Sequence, residues 1–440
     1  MRAAAARNLF PLSVAVAASV ILGLFFVYPL AKVFGASVLD PTGTTWRFAN
    51  YLDVLSNRFF LQALTNSLAV AAAAVVLTIA IGVPFAFCLA RLPVAGKPAL
   101  IALAALPLVL PSFVSAYALI LMFGRAGIVT QFLHFLGIPF DSIYGLAGVV
   151  AVFALTLYPY VVLPTVAAFQ AVDVSVEESA QNLGASRARV LATVTLPLVL
   201  PSILAGGVLV LIEALENFGV PFVLAEDKPM LAVEAFKLFV GETAANPASA
   251  GVLGMLLVGC TVAALAVQRA ILSSRRFATG ARRTAPPIAV GRATRRLAAI
   301  YCWCVVCVAL VPFAAVVVIA FVQFRGSVLQ QGFSLDNFAQ LFSRAQRPLA
   351  NTLMLASLSA LVATVIGVPI GYVVARQRTA VYGAGPKQYV GSGCRHPRTL
   401  QGERIDENVD GQQQRRRRVW KLERADGTIK FHNKYATSGL

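Results

Sequence analysis

Long apolar runs alternate with short polar segments over most of this chain. The stretches from Leu68 to Ala90 and from Cys304 to Val322 contain no charged residue, and each approaches the roughly 20 residues a helix needs to cross about 30 Å of hydrocarbon. Eight spans are expected on this pattern, near residues 9–32, 64–90, 98–123, 145–170, 195–220, 251–268, 298–323 and 349–375. Arg2 and Arg7 precede the first, and "VFGAS" resembles a signal-peptide cleavage site. Its apolar run exceeds the roughly 7–15 residues of a signal peptide, so an uncleaved span is expected. The fold class predicted is all-α, a polytopic helix bundle in a membrane.

Composition agrees with this and excludes a soluble domain: 58% of residues are hydrophobic and 13% charged, with a mean hydropathy of +0.76. The net charge of +18 raises nucleic-acid binding, which the distribution of charge argues against. With the N-terminus inside, the inner loops before the C-terminal segment hold 14 Lys and Arg against 3 acids, and the outer loops hold 8 against 8. That asymmetry is the positive-inside bias of a membrane protein, so the expected partner is the lipid bilayer, with N-terminus and tail cytoplasmic. Eight arginines between Arg269 and Arg296, with no acid among them, read as a cytoplasmic linker that fixes orientation. Cys302, Cys304 and Cys307 lie in apolar sequence without His or acidic neighbours. They read as packing residues, so no metal site is assigned and no disulfide framework is implied.

A repeat organises the spans. Thr65–Arg91 aligns without a gap with Ala350–Arg376, and Asn66, Leu68, Ala71, Ile81, Gly82, Val83, Pro84, Ala90 and Arg91 recur as Asn351, Leu353, Ala356, Ile366, Gly367, Val368, Pro369, Ala375 and Arg376. The shared Asn start, the Gly-Val-Pro and the terminal Ala-Arg are not effects of apolar composition, and they point to a duplication. Six spans separate corresponding points, so the two copies enter the membrane in the same direction. The expected organisation is a first copy at 1–272, an Arg-rich linker at 273–296, a partial second copy of two spans at 297–376, and a polar basic segment at 377–440. Nothing in that last segment is apolar enough to span a bilayer, and the change is abrupt and falls inside a repeat unit. A frameshift or truncation after "VVARQRT" is therefore expected over a native disordered tail.

Between the fourth and fifth expected spans lies a polar island, "VEESAQNLGASRARVLATVTLP". It resembles the loop signature of bacterial ABC-importer permeases: Glu-Ala-Ala, three residues, Gly, nine residues, Ile-x-Leu-Pro. Here Glu178, Ser179, Ala180, Gly184, Val194, Leu196 and Pro197 keep every spacing, with Ser and Val as the two departures. The resemblance implies an inner-membrane transport subunit that is not an enzyme and binds no cofactor itself. ATP and Mg would be held by two separate ATPase subunits, and a periplasmic binding protein would deliver the substrate. No G-x-x-x-x-G-K-[ST] phosphate loop occurs in the chain, in keeping with that division.

On the same resemblance the loop, about residues 176–197, is a rigid knob that meets the ATPase. Glu177 to Asn182 would form a short helix with a small face at Ser179 and Ala180, ended by Gly184 in the left-handed conformation before Ala185. Glu178 would face the ATPase, and Arg187 and Arg189 would reach acidic groups or lipid phosphates. The ordinary alternative for Glu177 and Glu178 is helix-dipole stabilisation.

Candidate pathway residues come from two patterns. "LPLVLPS" occurs at Leu106–Ser112 and Leu196–Ser202, and prolines four apart, Pro107 with Pro111 and Pro197 with Pro201, kink or interrupt a helix and free carbonyls. Glu213 and Glu216, with Asn217 beside them, share a helix face within the fifth span, where ionisable groups usually address a cavity or a partner. The architecture and the stretch "ENFGVPFVLAEDKPMLAVEAFKLFVGE" resemble fused two-copy permeases for ferric iron, whose close relatives take up 2-aminoethylphosphonate or thiamine. Ferric iron import is therefore the expected function. An ion-coupled secondary transporter, in which parallel repeats also occur, and an inactive truncated product are the alternatives. A working importer of this kind needs two docking loops and the chain carries one, so association with a second permease copy is one way to complete it.

Overall fold

The computed structural model describes residues 2–40, 45–240, 246–273, 288, 290–325, 328–376, 419–425 and 428–434. Most of the Arg-rich linker, Cys394 and the run Arg415–Arg418 therefore lie outside the described residues. Two compact units divide between Arg376 and Gln377. Among the described residues, seven helices are long and apolar enough to cross a membrane, or eight if one bent pair counts as a single span.

The first span runs through α1 (Arg2–Leu22), a π turn (Gly23–Val27) and α2 (Tyr28–Val38). The short α3 (Ala49–Ser56) leads to α4 (Arg58–Arg91), which begins six residues before the expected span because Asn57 caps it, its side chain accepting from the Phe59 N–H at 2.9 Å. The expected third span is not continuous. It divides into α5 (Lys97–Ala105) with a 3₁₀ turn (Leu106–Leu108), then α6 (Ser112–Phe123); α7 (Ile128–Phe135) follows beyond its expected end. The break falls within the first Leu-Pro-Leu-Val-Leu-Pro-Ser, where Pro111 has left the helical region at ψ 132°.

Next come α8 (Leu146–Ala171), α9 (Val174–Asn182), α10 (Arg187–Val190), a π turn (Leu191–Thr195) and α11 (Leu196–Glu216). The second copy of the heptapeptide thus does not break its helix. Pro197 falls in the first turn of α11, where its missing N–H costs least, and Pro201 is carried inside the helix. The irregularity is displaced into the π turn just upstream. After α11 follow α12 (Gly219–Leu224), α13 (Leu231–Val240) and α14 (Pro247–Ser273).

The seventh expected span is also altered. It is a pair, α15 (Arg292–Ala309) and α16 (Val311–Ala320), bent by 44° at Leu310, just before Pro312. Its end is not helical, since Val322–Arg325 (β1) pairs antiparallel with Val328–Phe333 (β2). Then come α17 (Asp336–Arg344) and α18 (Gln346–Arg376). In the second unit Val419–Ala425 (β3) and Thr428–Lys434 (β4) form an antiparallel hairpin, with Val419 opposite Lys434 and Ala425 opposite Thr428.

The core lies where α4, α8 and α11 pack together. Lipid supplies no hydrophobic drive between spans, so close approach at small residues has to supply contact. A Cβ on Gly206 of α11 would lie 2.6 Å from the Tyr160 carbonyl oxygen and 2.8 Å from the Val161 Cα of α8. One on Gly82 of α4 would meet Val161 and Val162 at 3.2–3.3 Å. Tyr158, Phe85, Phe153 and Phe169 fill the space between and are fully buried. Phe85 and Tyr158 meet edge to face with ring centroids 6.3 Å apart.

Candidate functional site: the loop between two spans and a polar cavity

The polar island folds as a capped helix with a defined stop. Asp173 caps α9 by accepting from the Ser175 N–H at 3.0 Å, which starts the helix at Val174, three residues before the expected Glu177. At the other end the Ala185 N–H donates to the Ala180 carbonyl (3.1 Å) and the Gly184 N–H to the Gln181 carbonyl (2.9 Å). Gly184 stands at φ +86°. This pair of bonds about a left-handed residue is a Schellman stop, and the left-handed backbone explains the glycine. Ser186 then caps α10, accepting from the Arg189 N–H at 3.4 Å.

The two adjacent glutamates point opposite ways. Glu178, Ser179, Arg187 and Leu196 are exposed, Ala180, Ala185 and Pro197 are half-buried, and Gly184 stands open. Glu177, by contrast, is buried and forms an ion pair with the guanidinium of Arg91, the last residue of α4. Its other oxygen accepts from the Thr195 hydroxyl at 2.6 Å. Spacing alone groups Glu177 with Glu178; it is Arg91 that separates them.

Two residues of this region have no place in the sequence motif. Leu183 is 89% exposed at the tip, between α9 and Gly184. Arg91 was visible only as the arginine that ends the repeat. A cavity of about 420 Å³ is lined by the ion pair itself, Arg91 and Glu177, with Thr195, Glu178, Arg187 and Ile288. The Ile288 N–H donates to the Arg91 carbonyl at 2.8 Å, so the segment entering α15 is seated against the end of α4.

The pathway candidates separate into two groups. Glu213 is half-buried and accepts from the Tyr160 hydroxyl at 3.3 Å, while the Asn217 amide donates to Ser112 Oγ at 2.8 Å and its oxygen accepts from the Val220 N–H at 3.0 Å. A cavity of about 120 Å³ is lined by Pro107, Ser112, Thr156, Tyr160, Glu213 and Asn217. The break in the third span and the end of α11 thus converge on one polar cavity. Glu216 is exposed and, like Pro111 and Pro201, lies outside that lining. Cys302 is buried in the same core cluster that Cys88 packs against, while Cys304 and Cys307 are exposed.

Comparison with known proteins places this arrangement. Residues 82–275, from the end of α4 through α14, match the model of the binding-protein-dependent transport system inner membrane component. The molybdenum transport system permease protein of Escherichia coli is 37% identical over 169 residues, 38% of this chain and 73% of that protein. The chain belongs to this permease family. A ferric transport system permease protein of Actinobacillus pleuropneumoniae is 26% identical over 374 residues, covering 82% of this chain and 53% of that protein. The spermidine/putrescine transport system permease protein of Escherichia coli is 28% identical over 225 residues, 49% of this chain and 82% of that protein. This is therefore a multi-pass inner-membrane permease of the ABC-importer type, a transport subunit whose relatives serve several substrates.

Proposed function

We propose that this permease imports ferric iron delivered by a periplasmic binding protein, driven by two ATPase subunits, one of which docks on α9. The observation that carries the docking is the exposed, capped and glycine-stopped α9, which presents Glu178, Ser179 and Leu183 away from the core. A permease without a phosphate loop must receive force across a subunit boundary, and a short helix fixed at both ends can do so without bending. The positive-inside bias sets this loop, the N-terminus and the tail on the cytoplasmic side. Alternating access would follow from loop contacts that differ between open and closed ATPase states.

Ferric iron is favoured over molybdate or polyamine by the ferric relative's match across 82% of the chain and by the Glu213 carboxylate in the polar cavity, a hard oxygen donor suited to a hard cation. On this reading Glu213, Asn217 and Pro107 line the pathway, with Glu216, Pro111 and Pro201 flanking it. Affinity capture of the tagged chain from solubilised membranes tests the docking. An ATPase subunit is expected to co-purify, and Glu178→Arg to reduce its recovery; equal recovery in the variant rejects the docking surface. Uptake of radiolabelled ferric iron, with molybdate and putrescine as competitors, tests the substrate. Inhibition by either competitor would replace iron with that solute.

A further inference from the structure

The buried carboxylate of Glu177 is a junction of three elements. Arg91 ends α4, Glu177 lies in α9, and Thr195 closes the π turn that opens into α11. The three residues are largely buried, at 3%, 7% and 2% exposure, and border the cavity of about 420 Å³. The Arg91 guanidinium also donates to the Phe169 carbonyl of α8 at 3.5 Å. One carboxylate on the loop helix thus takes one bond from each of two membrane spans. Successive helix residues project about 100° apart, so Glu178 can face outward while Glu177 faces in.

A buried charge is tolerated only where partners meet it in good geometry. If α9 rolled or lifted relative to the spans, Glu177 would lose both partners at once and Arg91 would be left charged without its partner in a largely buried site. The loop helix therefore cannot move alone. Its displacement is carried into α4, and through Thr195 into α11, whose far end brings Glu213 to the polar cavity. Gly207 of α11 approaches Ile79 of α4, with a Cβ there 3.3 Å from Ile79 Cδ1, so the two driven spans also touch each other.

We propose that Arg91, Glu177 and Thr195 are positioning residues that transmit motion of α9 to α4 and α11, a reading that rests on α9 being the docking element. The test uses the full chain captured with its ATPase in nanodiscs, following amide hydrogen exchange with and without ATP plus vanadate. In the unaltered chain exchange is expected to change in α9, at the C-terminal end of α4 and at the start of α11. Thr195→Val keeps the shape and removes the hydroxyl, so the α11 response is lost while α9 still responds; Thr195→Ser restores it. A role in packing alone predicts the reverse order, Ser worse than Val. The double variant Arg91→Met with Glu177→Met leaves no unpaired buried charge and should lose the α4 response.

A full α11 response in Thr195→Val overturns the proposal, and should the double variant not fold, the Val and Ser pair decides alone. If Glu178→Arg leaves ATPase recovery unchanged, the docking reading fails and this proposal with it. If recovery falls but α4 and α11 respond normally in the variants, docking stands and transmission by these residues does not.

Discussion

The chain contains nearly the same helix twice, in two settings. Thr65–Arg91 lies in α4 and Ala350–Arg376 in α18, with Asn, Gly-Val-Pro and Ala-Arg at matching places. In α4, Ala71, Gly82 and Arg91 are buried against α8, α9 and α11, and Asn66 donates to the Pro229 carbonyl at 3.0 Å. In α18 no residue of Gln346–Val373 is buried, and a Cβ on Gly367 would meet nothing within 4 Å. The local sequence is enough to make a long apolar helix in both places. Its small and polar positions acquire meaning only where other spans are present to be approached.

That contrast can be broken by substitution. The largest effect is expected for Arg91→Met, which strands Glu177 as an uncompensated buried charge at a cost of about 3–5 kcal/mol. The thermal midpoint of the detergent-solubilised chain should fall sharply, and a midpoint equal to that of the unaltered chain would show that the pair is solvated. The side chain of the matching Arg376 lies outside the described residues.

Gly82→Leu comes next. It forces a side chain into Val161 and Val162, and overpacking of this kind costs roughly 1–3 kcal/mol. Gly367→Leu, with open space around it, should leave the midpoint unchanged; equal losses at the two sites would mean that α18 is also packed. The smallest pair is Asn66→Ala and Asn351→Ala. Asn66 holds Pro229, and loss of that hydrogen bond is worth about 1 kcal/mol. The Asn351 side chain is exposed and makes no hydrogen bond among the described residues, so its variant should be silent in the same assay.

The two copies of Leu-Pro-Leu-Val-Leu-Pro-Ser make the same point about backbone. In the first, both prolines lie inside what would be one long span, and the helix gives way between Leu108 and Ser112. In the second, Pro197 coincides with a helix start and the chain absorbs Pro201. Proline removes a donor in both places; whether that breaks a helix depends on where the helix begins, and the seven residues do not carry that information.

The sequence alone determined the membrane class, most of the spans, the repeat and the loop motif with its glycine stop. These are local or periodic properties, written in runs of apolar residues, in fixed spacings and in one position that requires a left-handed backbone. The tertiary structure decided which of two neighbouring glutamates is buried, that Arg91 and Thr195 hold it, and that Pro107, Glu213 and Asn217 line one cavity while Glu216 does not. Glu177 and Arg91 are 86 residues apart in sequence, and their pairing exists because the end of α4 and the loop helix α9 are brought together and largely buried in the fold. Burial arises between helices, so no single helix encodes it.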